Sequence, residues 1–407
     1  MNQMELCKEN ECTGCGACKV SCKVNAIEML ENNKGYVLPK INLDICVGCK
    51  KCISVCPVLT PVKKRKVMHC YAAYYDDKKQ LNSASGGVSA ALANSFLDDG
   101  KYVCGAIYKE RSFEEGDALV QHKVIKGKND LILIQGSKYV QSTTENAYQE
   151  ILNLLSVGKK VLFFGTPCQV AGLINIIKPG MKNNLYTVDV VCHGVCGKGV
   201  FRDYINILRK HKNVIKFDFR DKTLGWGLNC RIVSLKKNGK ITEEILPCYL
   251  SSYYQIFLKS NMYRENCYSC SYANRDRVSD ITIGDYWGIE NEHPDICNSY
   301  DIRKGISCIL VNTEKGSELL RNTEKLVLFD SDINKVAKHN HQLVKPSEHG
   351  ILYEKYMDLY KSKGYEAVDK YFIENEINRY QQLKWKYYLF KQKIKKVIIK
   401  QRKGEEK

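Results

Sequence analysis

The sequence lacks the features that would place it in a membrane or a secretory pathway. No stretch approaches the roughly 18 uninterrupted apolar residues of a membrane-spanning helix. The first ten residues are polar and lack the apolar core of a signal peptide. Neither the Walker lysine motif nor the GxGxxG fingerprint occurs, so the ordinary nucleotide-binding folds gain no support. We therefore expect a soluble, cytoplasmic protein.

Cysteine, by contrast, is abundant, with 20 among 407 residues. In a short secreted protein this count would suggest disulfides, whereas in a reducing cytoplasm it indicates metal or redox chemistry. The chain is also too long for one ordinary core, and a prior of about 150 residues per domain suggests two or three domains.

Eight of the cysteines form an internal repeat near the N-terminus. Its two halves are Cys12, Cys15, Cys18 and Cys22, then Cys46, Cys49, Cys52 and Cys56. Each CxxCxxCxxxC run places three thiolates on a tight loop, and in two-cluster ferredoxins the fourth cysteine ligates the other cluster. One predicted 4Fe-4S cluster is therefore held by Cys12, Cys15, Cys18 and Cys56, and the other by Cys46, Cys49, Cys52 and Cys22. Zinc, which favours two CxxC pairs with a longer spacer, does not fit the repeated triple-cysteine runs.

After this repeat the composition and the hydrophobic pattern of the chain change. The run from Pro57 to Lys66 contains two prolines and four basic residues and reads as a linker. Beyond it, apolar runs alternate with amphipathic stretches, which predicts a mixed α/β domain whose sheet is at least partly parallel and covered by helices. We place a ferredoxin-type domain at 1–60, a linker at 61–68, the α/β domain at 69–325 and a helical, basic region at 326–407.

The predicted elements of the α/β domain follow from these runs. Predicted strands are Tyr102–Ile107, Leu119–Ile125, Lys160–Phe164, Leu185–Val191, Ile281–Gly284 and Ile306–Val311. Predicted helices include Val88–Leu97, Glu145–Leu155, Gln169–Ile177 and Val200–Arg209.

Four later cysteines stand beside glycine, proline or another cysteine, and two of them follow predicted strands, where α/β sheets present ligands. They are Cys168, Cys192, Cys267 and Cys270. From the residues alone they could bind a third cluster or a zinc ion, or they could be unligated or redox thiols. Cys196 is a spare candidate, and Cys7 lies outside the repeat and is interpreted as incidental.

Two polar loops are candidate anion sites. Ser85-Gly86-Gly87 precedes an Ala- and Leu-rich helix, whose first N–H groups can bind an anion, although Ser-Gly-Gly also begins helices that bind nothing. The loop 135–142 offers hydroxyls, an amide and a lysine that could hold a pyrophosphate or a flavin edge. Flavin is expected on chemical grounds, because it links the single electrons of clusters to two-electron donors.

At these motifs the sequence resembles the family of coenzyme F-420 hydrogenase and dehydrogenase beta subunits. The resemblance rests on Ser85-Gly86-Gly87, the loop 136–142, Gly165-Thr166-Pro167-Cys168-Gln169, Cys192-His193-Gly194, Phe219-Arg220-Asp221-Lys222 with Gly225-Trp226, Cys267-x-x-Cys270, and the segment from Ser279 to Gly288. It extends from about residue 70 to residue 320.

The resemblance implies FAD and a 4Fe-4S cluster in the α/β domain, with Cys168, Cys192, Cys267 and Cys270 as the cluster ligands. The cofactor-binding candidates are Ser85, Gly86, Gly87, Ser137, Lys138, Tyr139, Gln141, Ser142, Thr166, Arg220 and Lys222. Arg220 and Lys222 would suit flavin phosphates or an acidic substrate tail, the alternative being a solvated charge cluster. The deazaflavin coenzyme F-420 is a candidate substrate, and no catalytic residue is assigned.

We therefore predict an iron-sulfur flavoprotein oxidoreductase that exchanges electrons with a redox partner, such as ferredoxin or another oxidoreductase subunit. The alternative is a non-catalytic relay subunit of a larger redox complex, including one linked to polysaccharide biosynthesis.

The net charge of +18 is concentrated near the C-terminus. The segment from Lys384 to Lys403 contains nine Lys or Arg residues and no acid. An amphipathic helix there could contact an anionic membrane surface, the alternative being a helix packed on its own domain. No recognition motif accompanies the charge, so nucleic acid is not an expected partner.

Overall fold

The computed structural model describes residues 6–98, 100–383, 387 and 390. The strands are β1 (Ile27–Glu31), β2 (Val37–Ile41), β3 (His69–Tyr75), β4 (Tyr102–Tyr108), β5 (Val120–Ile125), β6 (Val161–Gly165), β7 (Leu185–Val190), β8 (Val214–Asp218), β9 (Asn229–Leu235), β10 (Ile241–Pro247), β11 (Ile281–Asp285), β12 (Ser307–Val311) and β13 (Leu326–Ser331).

The α-helices range from single turns to fourteen residues. They are α1 (Ala17–Ser21), α2 (Lys51–Ser54), α3 (Val88–Asp98), α4 (Ser112–Glu115), α5 (Leu131–Ile134), α6 (Glu145–Ser156), α7 (Pro167–Ile176), α8 (Lys198–His211), α9 (Ser252–Leu258), α10 (Glu265–Tyr268), α11 (Ile289–Glu292), α12 (Pro294–Ser299), α13 (Glu314–Arg321), α14 (Ile333–His339), α15 (Tyr353–Lys363) and α16 (Tyr365–Asn375).

The N-terminal cysteine repeat folds around an antiparallel pair, β1 and β2, with α1 and α2 packed against each other. Each of these short helices begins inside a cysteine run. Helix α1 also packs against α6 and α7. The N-terminal module is therefore docked on the larger part of the chain.

Among the described residues, eight strands form one mixed sheet in the order β13-β3-β12-β11-β7-β6-β4-β5. Its centre, β11-β7-β6-β4, is parallel, and the flanking pairs are antiparallel. This confirms the prediction of a mixed α/β fold with a partly parallel sheet. Helices α3 and α13 cover one face, while α6 and α7 cover the other. Strand β13 extends the sheet beyond the boundary predicted at residue 325.

A second sheet, β10-β9-β8, and the helices α8, α9, α15 and α16 share an aromatic core. The C-terminal region is helical through Asn375, as predicted. The basic helix predicted from Lys384 onward lies outside the described residues, apart from Tyr387 and Phe390. None of the described helices is long and apolar enough to cross a bilayer.

Candidate redox centres and ligand cavity

Cysteines from both halves of the N-terminal repeat line one small cavity. The predicted ligands there are Cys12, Cys15, Cys18 and Cys56. Cys7 also lines it, and its sulfur lies 3.9 Å from that of Cys56. Four thiols from two loops, facing one enclosed space, are a donor set that fits a 4Fe-4S cluster. We call this group the first cysteine set.

The loop of the first cysteine set is tightly packed at Gly14. This residue has a φ of +63°, and a β-carbon on it would lie 2.3 Å from Gln141 Nε2 and 2.8 Å from the Val37 carbonyl oxygen. Both the left-handed backbone and the close neighbours require glycine. The loop is therefore fixed against Gln141, which comes from the large domain.

The second cysteine set is closer to solvent than the first, and only Cys52 among its members is buried. It consists of Cys22, Cys46, Cys49 and Cys52. Burial raises the pKa of Cys52, and the charges of Cys49 and Cys46 raise it further, so these three thiols are neighbours. The Cys22 sulfur accepts a hydrogen bond from the Ala26 N–H at 3.3 Å. Cys49 is exposed, and apolar side chains beside it in the sequence are exposed as well. They are Leu43, Ile45 and Val47.

A third cysteine set gathers at the carboxyl ends of the central strands. Cys168 follows β6, Cys192 follows β7, and Cys267 and Cys270 come from α10 and the turn after it. Burial raises the pKa of Cys192 well above its ordinary value, and the charges of the other three cysteines raise it further. The four thiols are therefore close together, although three separate segments of the chain supply them.

The third cysteine set fits an iron-sulfur cluster by its chemistry. Burial raises the pKa of Cys168 to about 11 and that of Cys267 to about 12, so the free thiolates are costly and a metal would stabilise them. Thr166 Oγ1 lies 3.2 Å from the Cys168 sulfur. Within the described ranges, no three Cys, His, Asp or Glu side chains are grouped as they would be around a single metal ion.

The first and third cysteine sets are neighbours across the docking surface of the N-terminal module. The charge of Cys168 acts on the pKa of Cys15, which burial raises to about 12. Helix α7 makes this approach possible at Gly172, where a β-carbon would lie 2.8 Å from the Cys15 sulfur. The Thr144 hydroxyl donates a 2.7 Å hydrogen bond to the Cys15 carbonyl.

A cavity of about 660 Å³ opens between the large sheet and the β8–β10 sheet. This volume lies within the range of small-molecule and cofactor sites, about 300–1,000 Å³. Four predicted cofactor-binding residues line it: Ser137, Lys138, Arg220 and Lys222. Burial lowers the pKa of Lys138 to about 7, and burial followed by the Arg220 charge lowers that of Lys222 to about 7. An anion in this cavity would favour the charged form of both half-buried lysines.

Arg220 is buried in one wall of the cavity, in the left-handed region at a φ of 59°. Its guanidinium donates two hydrogen bonds to Asp285, at 2.7 and 2.8 Å, and a third to the Gly227 carbonyl at 2.6 Å. The Trp226 indole N–H also donates to Asp285, and its ring stacks on that of Trp287 at 4.9 Å. The arginine predicted as a phosphate contact or surface charge is thus held rigidly by a carboxylate.

The remaining cofactor-binding candidates do not line this cavity. They are Ser85, Gly86, Gly87, Tyr139, Gln141, Ser142 and Thr166. Ser85 Oγ donates to the Ile306 carbonyl at 2.8 Å, and the Gly86 N–H donates to Ser307 Oγ at 3.0 Å, so this loop is tied to β12. The Ser85 carbonyl also accepts a hydrogen bond from Lys222, which connects the loop to the cavity wall.

The other candidates have partners within the protein. The Tyr139 hydroxyl accepts from Arg220 at 3.1 Å, and its ring stacks on Phe257. Ser142 lies with its hydroxyl 2.9 Å from Gln169 Nε2, and Gln141 lies against Gly14 in the loop of the first cysteine set. Thr166 caps α7.

His193 lies beside the third cysteine set, and the sequence did not predict a role for it. It follows Cys192 directly, and although part of its side chain reaches solvent, the surrounding protein desolvates the ring. This desolvation lowers the pKa of His193, and the charges of Asp285 and Arg220 also act on it. Arg220 lines the cavity, whereas His193 and the third cysteine set do not.

The N-terminal cysteine sets define the class of iron-sulfur proteins that transfer electrons. Residues 11–59 match the 4Fe-4S dicluster domain, and residues 158–331 match the C terminus of the coenzyme F420 hydrogenase/dehydrogenase beta subunit. The chain therefore combines an iron-sulfur dicluster domain with a domain of the family of F420 hydrogenase/dehydrogenase beta subunits, as the sequence motifs predicted.

Individual relatives are distant. The chain is 22% identical over 175 residues to a subunit of the F(420)H(2) dehydrogenase of Methanosarcina mazei, a match that covers 40% of this chain and 48% of the relative. It is 27% identical over 174 residues to coenzyme F420-dependent sulfite reductase of Methanocaldococcus jannaschii, covering 42% of this chain and 26% of the relative. The matches thus span about half or less of either relative.

One solved structure that resembles the chain is from the F420-reducing NiFe hydrogenase complex of Methanosarcina barkeri. It is 19% identical, with a TM-score of 0.44, and the match covers 69% of this chain and 90% of that chain.

Proposed function

We propose that this chain is an iron-sulfur flavoprotein oxidoreductase with three 4Fe-4S clusters and FAD. The observation that carries the proposal is the position of the third cysteine set. It lies beside Cys15 of the first set, and His193, next to Cys192, is under the charge of Arg220, which lines the large cavity. A continuous series of redox centres would connect the surface to a ligand site.

The second cysteine set is the proposed point of entry or exit for electrons. Cys49 is exposed, and the neighbouring apolar side chains Leu43, Ile45 and Val47 would suit a transient contact with a redox protein. A partner of this kind is a ferredoxin or another oxidoreductase subunit. The relatives, a dehydrogenase subunit and a sulfite reductase, support a redox partner in general.

The large cavity is the proposed flavin site. Lys138 and Lys222 would face the pyrophosphate, and Arg220, held by Asp285, would form part of the cavity wall. A bound flavin supplies the conversion between two-electron and one-electron transfer that the clusters lack. Coenzyme F420 is the proposed hydride carrier, because both relatives are named for it.

The second candidate function is a relay subunit without substrate chemistry, and the relative named as a dehydrogenase subunit favours it. Anaerobic purification separates the two. About twelve iron atoms and one FAD per chain would support the oxidoreductase. About eight iron atoms per chain without flavin would support the relay subunit instead.

Variants make this test specific. Replacing Cys192 by serine should remove about four iron atoms, the content of one cluster, while Cys297→Ser, a half-buried thiol outside all three sets, should remove none. Lys138→Met together with Lys222→Met should release FAD and leave the iron content unchanged. Equal iron content in Cys192→Ser and the unmodified chain would refute the third cluster.

A further inference from the structure

Arg264 is a buried cation without a carboxylate partner. Its side chain is 2% exposed. Its hydrogen bonds all go to neutral oxygens: the carbonyls of Cys12 at 2.8 Å and Val37 at 3.2 Å, and the side-chain oxygens of Gln141 at 2.8 Å and Asn266 at 3.3 Å. Across 6–98 and 100–383, no ion pair to a carboxylate involves this guanidinium, which also lies over the Tyr36 ring.

A buried charge of this kind is unfavourable unless an opposite charge lies nearby. The other deeply buried arginines meet this condition, since Arg220 pairs with Asp285 and Arg277 with Asp189 at 3.0 Å. Arg264 is the exception among these three. Its counter-charge has to come from something other than a carboxylate.

Arg264 touches both neighbouring cysteine sets directly. Its guanidinium Nη2 donates to the carbonyl of Cys12, in the first set, and its own carbonyl accepts a 2.9 Å hydrogen bond from the N–H of Cys267, in the third. A β-carbon on Gly14 would lie 3.1 Å from Nη2, so the guanidinium also packs against the loop of the first cysteine set, which we call the first cluster loop.

The electrostatics agree with this geometry. Burial raises the pKa of both Cys168 and Cys267, and the Arg264 charge opposes the rise at each. A hydrogen bond from Cys7 lowers the pKa of Cys12 most, and Arg264 lowers it as well. The guanidinium therefore acts on thiolates of both sets at once.

We propose that Arg264 is a positioning residue that joins the first cluster loop to the third cysteine set and serves as the shared counter-charge of both clusters. The part that concerns the third cluster rests on the proposed function. A 4Fe-4S cluster with four thiolates is anionic and gains one further negative charge when it accepts one electron. A neighbouring fixed cation favours the reduced form, so Arg264 raises the reduction potential of both clusters.

Gln141 gives an independent way to change this charge. Its Oε1 accepts from Arg264 Nη1 at 2.8 Å, and a glutamate at this position has nearly the same shape. Gln141→Glu would neutralise the guanidinium without removing any packed group. Arg264→Lys keeps the charge but loses the planar fork, and Arg264→Gln removes the charge.

The experiment is a potentiometric titration of the full chain, purified anaerobically with its clusters and followed by EPR. Signals are assigned with Cys49→Ser for the second cluster and Cys192→Ser for the third. We expect Arg264→Gln and Gln141→Glu each to lower the reduced-to-oxidised ratio of the first and third clusters about tenfold at fixed potential, a midpoint shift of ~59 mV. Arg264→Lys should shift less, and the second cluster, whose ligands have no described contact with Arg264, should not shift.

Equal shifts at all clusters, or unchanged potentials in a folded Gln141→Glu protein, would overturn the proposal. If Arg264→Gln fails to fold, the cluster potentials of the Gln141→Glu protein alone test the proposal. If the unmodified chain holds only two clusters, the third cluster of the proposed function is refuted, yet the first cluster still reports on Arg264. Three clusters with no response to these variants would refute the role of Arg264 and leave the proposed function intact.

Discussion

Replacing Gly172 by alanine tests the contact between α7 and the first cluster loop. The new β-carbon would lie 2.8 Å from the Cys15 sulfur and 3.2 Å from the Cys15 β-carbon. Helix propensity alone would favour alanine by about 1 kcal/mol. Overpacking a dense interior costs about 1–3 kcal/mol.

Whether the overpacking cost exceeds the gain in helix propensity depends on whether Cys15 can move. Its side chain is 7% exposed, and its carbonyl is held by the Thr144 hydroxyl at 2.7 Å. We therefore expect overpacking to outweigh propensity, with a net loss of up to about 2 kcal/mol in the free energy that holds the loop against α7. Because Cys15 is a predicted ligand, this loss should appear as a weakened first cluster.

The assay measures iron per chain, the EPR signal of the first cluster and the rate of iron loss to a chelator under anaerobic conditions. Gly180→Ala is the matched control, since nothing lies within 4 Å of the β-carbon that alanine would add there. We expect Gly172→Ala to lose iron faster than the control. Full iron retention together with higher stability than the unmodified chain would refute the packing argument.

Three further predictions concern the cavity and α7. Asp285→Ala leaves Arg220 buried without its counter-charge and should lower the free energy of unfolding by about 3–5 kcal/mol in denaturant titrations, a loss below about 1 kcal/mol contradicting it. Thr166→Ala removes the N-terminal cap of α7 and should cost about 1 kcal/mol by the same measurement, with Thr166→Ser as the near-neutral control. Since Lys138 and Lys222 have pKa values lowered to about 7, FAD should bind more tightly below that pH than above it, and affinity independent of pH would contradict their role.

The sequence predicted the centre of the large sheet well. Strands β6, β7 and β12 are largely runs of consecutive buried residues, which stand out because parallel and central strands are covered on both faces. Strand β3 and the hairpin of β9 and β10 were missed, because their exposed, half-buried and buried positions follow no clear alternation. Their pairing depends on the fold around them.

The cofactor-binding residues were likewise predicted only in part. Lys138, Arg220 and Lys222 line the large cavity, whereas Gln141 contacts the first cluster loop and Ser142 lies beside Gln169. Residues of the one loop 135–142 therefore contact different parts of the protein, and the sequence motif alone does not predict which residue lines the cavity.

By itself, the sequence determined the N-terminal dicluster domain and the beta-subunit-type domain, because cluster-ligating loops are short and their cysteine spacing is a local property. Only the tertiary structure decided that Cys168 lies beside Cys15, that Arg264 bridges two cysteine sets, and that Arg220 is paired with Asp285. These contacts join residues far apart in the chain. They depend on how the helices and sheets pack, which no local pattern encodes.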